Sequence, residues 1–72
     1  MIKCVYFIQE TATDKNGEYI PCIARQGETG YYLTDWHWGK DRAAAEWCCD
    51  EKNAALGISK REAIIIVLQS MR

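Results

Sequence analysis

The sequence predicts an α+β domain in which a three-stranded antiparallel β-meander is followed by two helices packed on one face. The first half of the 72-residue chain is rich in β-branched and aromatic residues and is divided by glycine-containing turns. The second half contains two stretches that carry helix-capping residues. A chain of this length has room for one domain, so we expect residues 1–72 to fold as a single unit.

The predicted sheet begins with strands over residues 2–12 and 18–26. Residues 2–12 contain no glycine or proline, and their alternating pattern is typical of a strand covered on one face. Residues 14–17 read Asp-Lys-Asn-Gly, which suits a turn because Asn-Gly accepts positive φ. Pro21 has no N–H for the ladder and therefore predicts an edge or a bulge near the start of the second strand.

A third strand is predicted over residues 31–36. A compact loop at residues 27–30, with a glycine at each end, separates it from the second strand. Short loops between successive strands favour pairing in sequence order. We therefore expect an antiparallel meander.

The first helix is predicted over residues 42–56. Asp41 can accept hydrogen bonds from the first N–H groups, and Gly57 is placed to end the helix in the left-handed conformation. Residues at helical spacing predict one buried stripe, along which a lysine lays its methylene stem. The stripe consists of Ala45, Cys48, Cys49, Lys52 and Leu56.

The second helix is predicted over residues 60–70, because Ser59 and Glu62 form a capping-box pattern. Four consecutive β-branched residues follow, which lower helix propensity. A fourth strand over residues 64–69 is therefore the alternative. The predicted core contains Ile2 or Val5, together with Ile23, Leu33, Ala45, Cys48, Cys49, Leu56, Ile65 and Leu68.

Charge and hydropathy argue against several classes of function. Nine basic and ten acidic residues give a net charge of −1. Lysine and arginine are scattered along the chain rather than gathered on a basic face, so nucleic-acid binding is not expected. No segment approaches the roughly 18 apolar residues of a membrane span. No signal-peptide pattern is present either, so we expect a cytoplasmic protein without a membrane segment.

The four cysteines predict packing in the reduced state rather than chemistry. Cys48 and Cys49 are adjacent, which is neither a disulfide geometry nor the C-x-x-C spacing of zinc and redox sites. A zinc or thiol protein that uses Cys4 and Cys22 with this pair is the less favoured alternative. We expect no metal and no cofactor.

His37 is the only histidine, and Trp36 and Trp38 flank it. A catalytic Cys–His pair needs a reactive thiol, whereas a buried thiol is inert. We therefore predict no catalytic residue and a protein that is not an enzyme.

The segment from Gly30 onward contains Tyr31-Tyr32, Asn53-Ala54-Ala55-Leu56-Gly57, Ile66-Val67 and Ser70-Met71. In these features it resembles a family of small uncharacterised proteins of bacterial genomes and mobile elements. The resemblance implies the same meander-plus-helices architecture. No activity is established for that family, so no functional residues are carried over. The adjacent cysteines and the isoleucine-rich final element depart from the family pattern.

The aromatic surplus favours a non-enzymatic protein-interaction module, either a homodimer or a binder of another protein. Tryptophan and tyrosine dominate the energetics of protein interfaces, and two indoles at strand spacing point to one side. The expected interface is Tyr31, Trp36, His37 and Trp38. Two alternatives stay open for these aromatic residues: packing of the indoles in the core, and stacking on single-stranded nucleic acid.

Overall fold

A computed structural model describes residues 2–71 and has the predicted α+β architecture. The strands pair antiparallel in the order β1-β2-β3, and two helices follow them. The predicted fold class is confirmed. The elements are β1 (Cys4–Phe7), β2 (Cys22–Arg25), β3 (Tyr32–Leu33), α1 (Arg42–Ala55) and α2 (Lys60–Ser70).

All three strands are shorter than predicted, so the sequence-based ranges 2–12, 18–26 and 31–36 were wrong in extent. After β1 the N–H of Ala12 donates to the carbonyl of Gln9, and this turn takes the chain out of the sheet. The same turn leaves Ile8 and Ala12 buried, so tertiary packing outweighs the strand propensity of this segment. Pro21 lies immediately before β2, as its missing N–H requires.

The helix α2 covers one face of the sheet. Val5 pairs with Ala24 and Phe7 with Cys22, so these four side chains point to the same side. On that side Val5, Ala24 and Phe7 take part in the first hydrophobic cluster, which burial of apolar surface stabilises. Its buried members are Val5, Ala24, Ile58, Ala63 and Ile66, with Phe7 and Val67 packed against them.

The helix α1 lies along the free edge of β1 and is fixed there by a side chain that replaces a neighbouring strand. Gln26 N–H bonds to Lys3 carbonyl, and alternation along the ladder turns the N–H and C=O of Tyr6 away from β2. The side-chain oxygen of Asn53 accepts from Tyr6 N–H at 2.8 Å, and its NH₂ donates to Tyr6 C=O at 3.0 Å. Asn53 is buried, so it protects this edge from other strands.

Both helix boundaries follow the capping signals. The N–H of Gly57, at φ +78°, donates to Ala54 C=O, and the N–H of Ile58 donates to Asn53 C=O. This is the Schellman pattern. Ser59 Oγ accepts from Glu62 N–H at 3.1 Å, so the predicted cap forms and residues 64–69 are helical rather than a fourth strand.

The predicted core was partly wrong. Val5, Ala45 and Cys49 are buried, but the other predicted residues are half-buried or exposed. In α2 the buried positions are Ala63, Ile66 and Ser70, and in α1 Asn53 takes the place expected for Lys52. An apolar run around the whole helix does not fix which side faces the sheet. The misplaced residues are Ile2, Ile23, Leu33, Cys48, Leu56, Ile65 and Leu68.

Candidate protein-binding surface

The outer side of α2 carries large apolar side chains that its own chain leaves uncovered. Ile64 is 53% exposed, Leu68 60% and Met71 45%. They follow one another at intervals of four and three residues, so they lie along one line of the helix. We call these three residues the α2 stripe. Ile65, beside it, is also exposed.

The α2 stripe forms one wall of a groove of about 340 Å³ between α1 and α2. The end of β1 supplies its floor, and α1 supplies the opposite wall. Most of the lining is apolar, and the few charged groups come from the helices. The lining residues are Tyr6, Phe7, Ile8, Glu46, Cys49, Asp50, Asn53, Lys60, Ala63, Ile64, Val67, Leu68 and Met71.

Three charged residues, Glu46, Asp50 and Lys60, line the groove. Lys60 begins α2 and its Nζ lies 3.9 Å from the Asp50 carboxylate. Glu46 precedes Asp50 by about one turn of α1, or roughly 6 Å. A short turn connects the helices, so α1 runs back along α2 and Glu46 lies toward the C-terminal end of α2. One end of the groove therefore carries Lys60 beside Asp50, and Glu46 lies toward the other end.

The two tryptophans of the predicted interface belong to an aromatic stack that packs on Tyr6 of β1. The ring of Trp36 stacks on Tyr6 and on Trp38, with centroids 5.6 Å apart in each case. The ammonium of Lys52 lies 4.6 Å from the Trp36 centroid and 5.8 Å from that of Tyr6. Trp38 is half-buried against the cluster around Ile8. The rings thus contact each other and a cation.

The four residues of the predicted interface do not form one surface. Tyr31 packs edge-on against Phe7, with centroids 5.7 Å apart. Phe7 and Tyr6 are neighbours in β1, so their side chains point to opposite faces. Tyr31 therefore lies on the Phe7 side of β1, while Trp36 lies on the Tyr6 side.

His37 joins the loop after β3 to the turn after β1. Its Nδ1 lies 2.7 Å from Asp14 Oδ2, while Asp14 Oδ1 accepts from the N–H groups of Asn16 and Glu18. Desolvation would raise the pKa of Asp14, but the two backbone hydrogen bonds, His37 hydrogen bonding and its charge together lower it. This geometry holds a turn together and gives His37 a structural partner.

The cysteines are free thiols, and two of them are buried. Desolvation raises the pKa of Cys22. Desolvation also raises that of Cys49 to about 12, with nearby carboxylates and thiols adding to it. Both groups stay protonated at neutral pH, which makes them poor nucleophiles. Within residues 2–71 no three His, Cys, Asp or Glu side chains converge as metal ligands do.

Sequence reasoning missed the groove because it placed Leu68 in the core and did not consider Ile64 or Met71. A signal was present: a helix that is apolar on all sides needs a cover on its second face. It also missed Tyr6 as a partner of Trp36, because that contact joins residues thirty positions apart.

Comparison with known proteins gave no matching family model, no similar curated protein and no similar solved structure. In the part of the chain that the structure describes, neither helix has the length and apolar character to cross a membrane. The proposal for function therefore depends on the geometry of the groove and the stack.

Proposed function

We propose that the protein is a small, non-enzymatic protein-interaction module that binds its partner at the groove and the α2 stripe. The observation that carries the proposal is the exposure of three adjacent large apolar side chains on the wall of an apolar groove. Contiguous apolar surface of this kind is typical of interaction sites.

The sequence-based interface is divided by this proposal into two parts with different roles. Tyr31 contacts Phe7, which lines the groove, so we assign it to the rim of the binding surface. Trp36 and Trp38 already contact Tyr6, and Lys52 lies over Trp36. We assign these two indoles to holding the loop after β3 against β1.

Site-specific photocrosslinking in cells tests this assignment. A photoreactive phenylalanine analogue replaces Leu68 in one variant and Lys15, which is exposed in the turn after β1, in the control. We expect protein adducts at position 68 and none at position 15. Adducts at neither position would contradict binding through the α2 stripe.

Oligonucleotide binding by two substitution variants tests the nucleic-acid alternative. If aromatic stacking on bases were the function, Trp36→Ala would weaken binding of a single-stranded oligonucleotide and Leu68→Asp would not. We expect no salt-sensitive oligonucleotide binding from the unmodified protein. Such binding, lost in Trp36→Ala alone, would replace the proposed function.

A further inference from the structure

We propose that the partner at the groove is a second copy of this chain, with α2 packed antiparallel against α2 about a two-fold axis. This inference rests on the proposed function, because it names the occupant of the same surface. A two-fold interface uses one patch twice and therefore requires that the patch complement itself. The apolar and the charged residues of the groove can each be checked against that requirement.

The apolar residues meet the requirement. Ile64 and Leu68 are separated by about one helical turn and are both more than half exposed. With the axis midway between them, Ile64 of each copy faces Leu68 of the other. Each α2 then covers the stripe of its neighbour.

Two of the charged residues, Lys60 and Glu46, meet it as well. Lys60 marks the N-terminal end of α2, and Glu46 lies toward its C-terminal end on the facing helix. Antiparallel packing brings the start of one α2 to the end of the other, so Lys60 of each copy approaches Glu46 of the other. Lys60 is free to do so, because its side chain is 77% exposed and its contact with Asp50 is loose at 3.9 Å. Glu46 has only an exposed contact with Arg42.

The interior of the single chain gives a second reason for a second copy. Its two buried clusters, one around Val5 and one formed by Ile8, Ala45 and Cys49, together contain eight residues. Three of these are alanines and one is a cysteine, so few large side chains are buried. A domain of about 70 residues buries only about 60% of its unfolded surface, and a partner subunit is a common remedy. Covering the α2 stripe adds the large apolar residues that the interior lacks.

Sedimentation equilibrium of charge-reversal variants tests the arrangement. We expect the unmodified protein to dimerise, and Lys60→Glu and Glu46→Lys each to weaken dimerisation roughly tenfold, because two contacts per dimer become repulsive. The double variant restores both contacts with reversed sign and should recover most of the loss. Lys15→Glu, with the same charge change outside the groove, should dimerise like the unmodified protein. Far-ultraviolet circular dichroism verifies the fold of each variant.

Two results would overturn the second copy as partner: a monomer at about 0.5 mM protein, or a dimer that Leu68→Asp leaves intact. Failure of rescue in the double variant, after loss in both single variants, would overturn the antiparallel arrangement. A monomer that still crosslinks at position 68 to a different protein refutes the second copy and leaves the proposed function standing. A monomer without adducts at position 68 refutes both.

Discussion

The sequence suggests an exposed surface at the aromatic stack and a buried one at the outer face of α2. The segment with Trp36 and Trp38 looks like a binding surface in sequence; in the structure Trp36 is 39% exposed, and its ring contacts Tyr6, Trp38 and the Lys52 ammonium. The run from residue 63 to 68 looks like interior, yet Leu68 is 60% exposed. The comparison teaches that a binding surface of a small domain is better identified by large apolar side chains that lack packing partners than by rare residue types.

The largest expected effect separates the two sides of α2. Ile66 is 3% exposed and Ile65 is 47% exposed, although they are adjacent and identical in type. We expect Ile66→Ala to lower the free energy of unfolding by about 3 kcal/mol, because it leaves a cavity beside Val5. Ile65→Ala should cost less than about 1 kcal/mol. Urea unfolding at low protein concentration measures both. Equal losses would mean that the helix has a different rotation about its axis.

Asn53 tests whether its two hydrogen bonds to the edge of β1 stabilise the fold. Asn53→Ala leaves the N–H and C=O of Tyr6 without their partners at the edge of the sheet. We expect a loss of about 2 kcal/mol in the free energy of unfolding, since each unsatisfied group costs 1–3 kcal/mol when water is excluded. Amide hydrogen exchange at Tyr6 should accelerate along with it. Unchanged exchange at that amide would contradict the edge contact.

Trp38 and Trp47 sharpen the comparison with a pair of identical residues. Trp38 is half-buried against the cluster around Ile8, whereas Trp47 is 63% exposed. We expect Trp38→Ala to destabilise the fold by about 1–2 kcal/mol and Trp47→Ala by less than about 0.5 kcal/mol. Thermal unfolding of the two variants gives the difference. A larger loss for Trp47→Ala than for Trp38→Ala would contradict the structural role given to Trp38.

Local signals in the sequence predicted the elements of this fold better than their packing. Asp41, Ser59 and Gly57 act on neighbouring backbone groups, so the helix boundaries could be read from the chain alone. Strand ends depended on the turn between Gln9 and Ala12, which tertiary burial decides. The sequence therefore predicted three strands in the correct order and not their lengths.

The candidate site was less predictable, since it depends on how the helices rotate. In α1 the buried polar group is Asn53, and its two hydrogen bonds reach a strand 47 residues away. In α2 a run of apolar residues fits the sheet in several rotations, and the pairing with Val5 and Ala24 selects one. The α2 stripe is therefore determined by how α2 packs on the sheet, which the sequence pattern does not specify.

A pH-dependent effect is expected from the buried thiol on the groove wall. Cys49 keeps its proton in the folded state up to a pKa of about 12, against an ordinary value of 9.0. Its contribution to stability is therefore fully present below pH 9 and is lost progressively between pH 9 and 12, as ionisation favours the unfolded chain. We expect the difference in unfolding free energy between the unmodified protein and Cys49→Ala to shrink over that range. A constant difference would indicate that water reaches the thiol.

The dependence of the unfolding temperature on protein concentration tests most directly whether copies of the chain associate through the α2 stripe. Association of folded copies stabilises them by mass action. The unmodified protein should therefore unfold at a higher temperature as its concentration rises, while Leu68→Asp should unfold at one temperature throughout. The opposite result, no concentration dependence in the unmodified protein or the same dependence in Leu68→Asp, would contradict an interface at this surface.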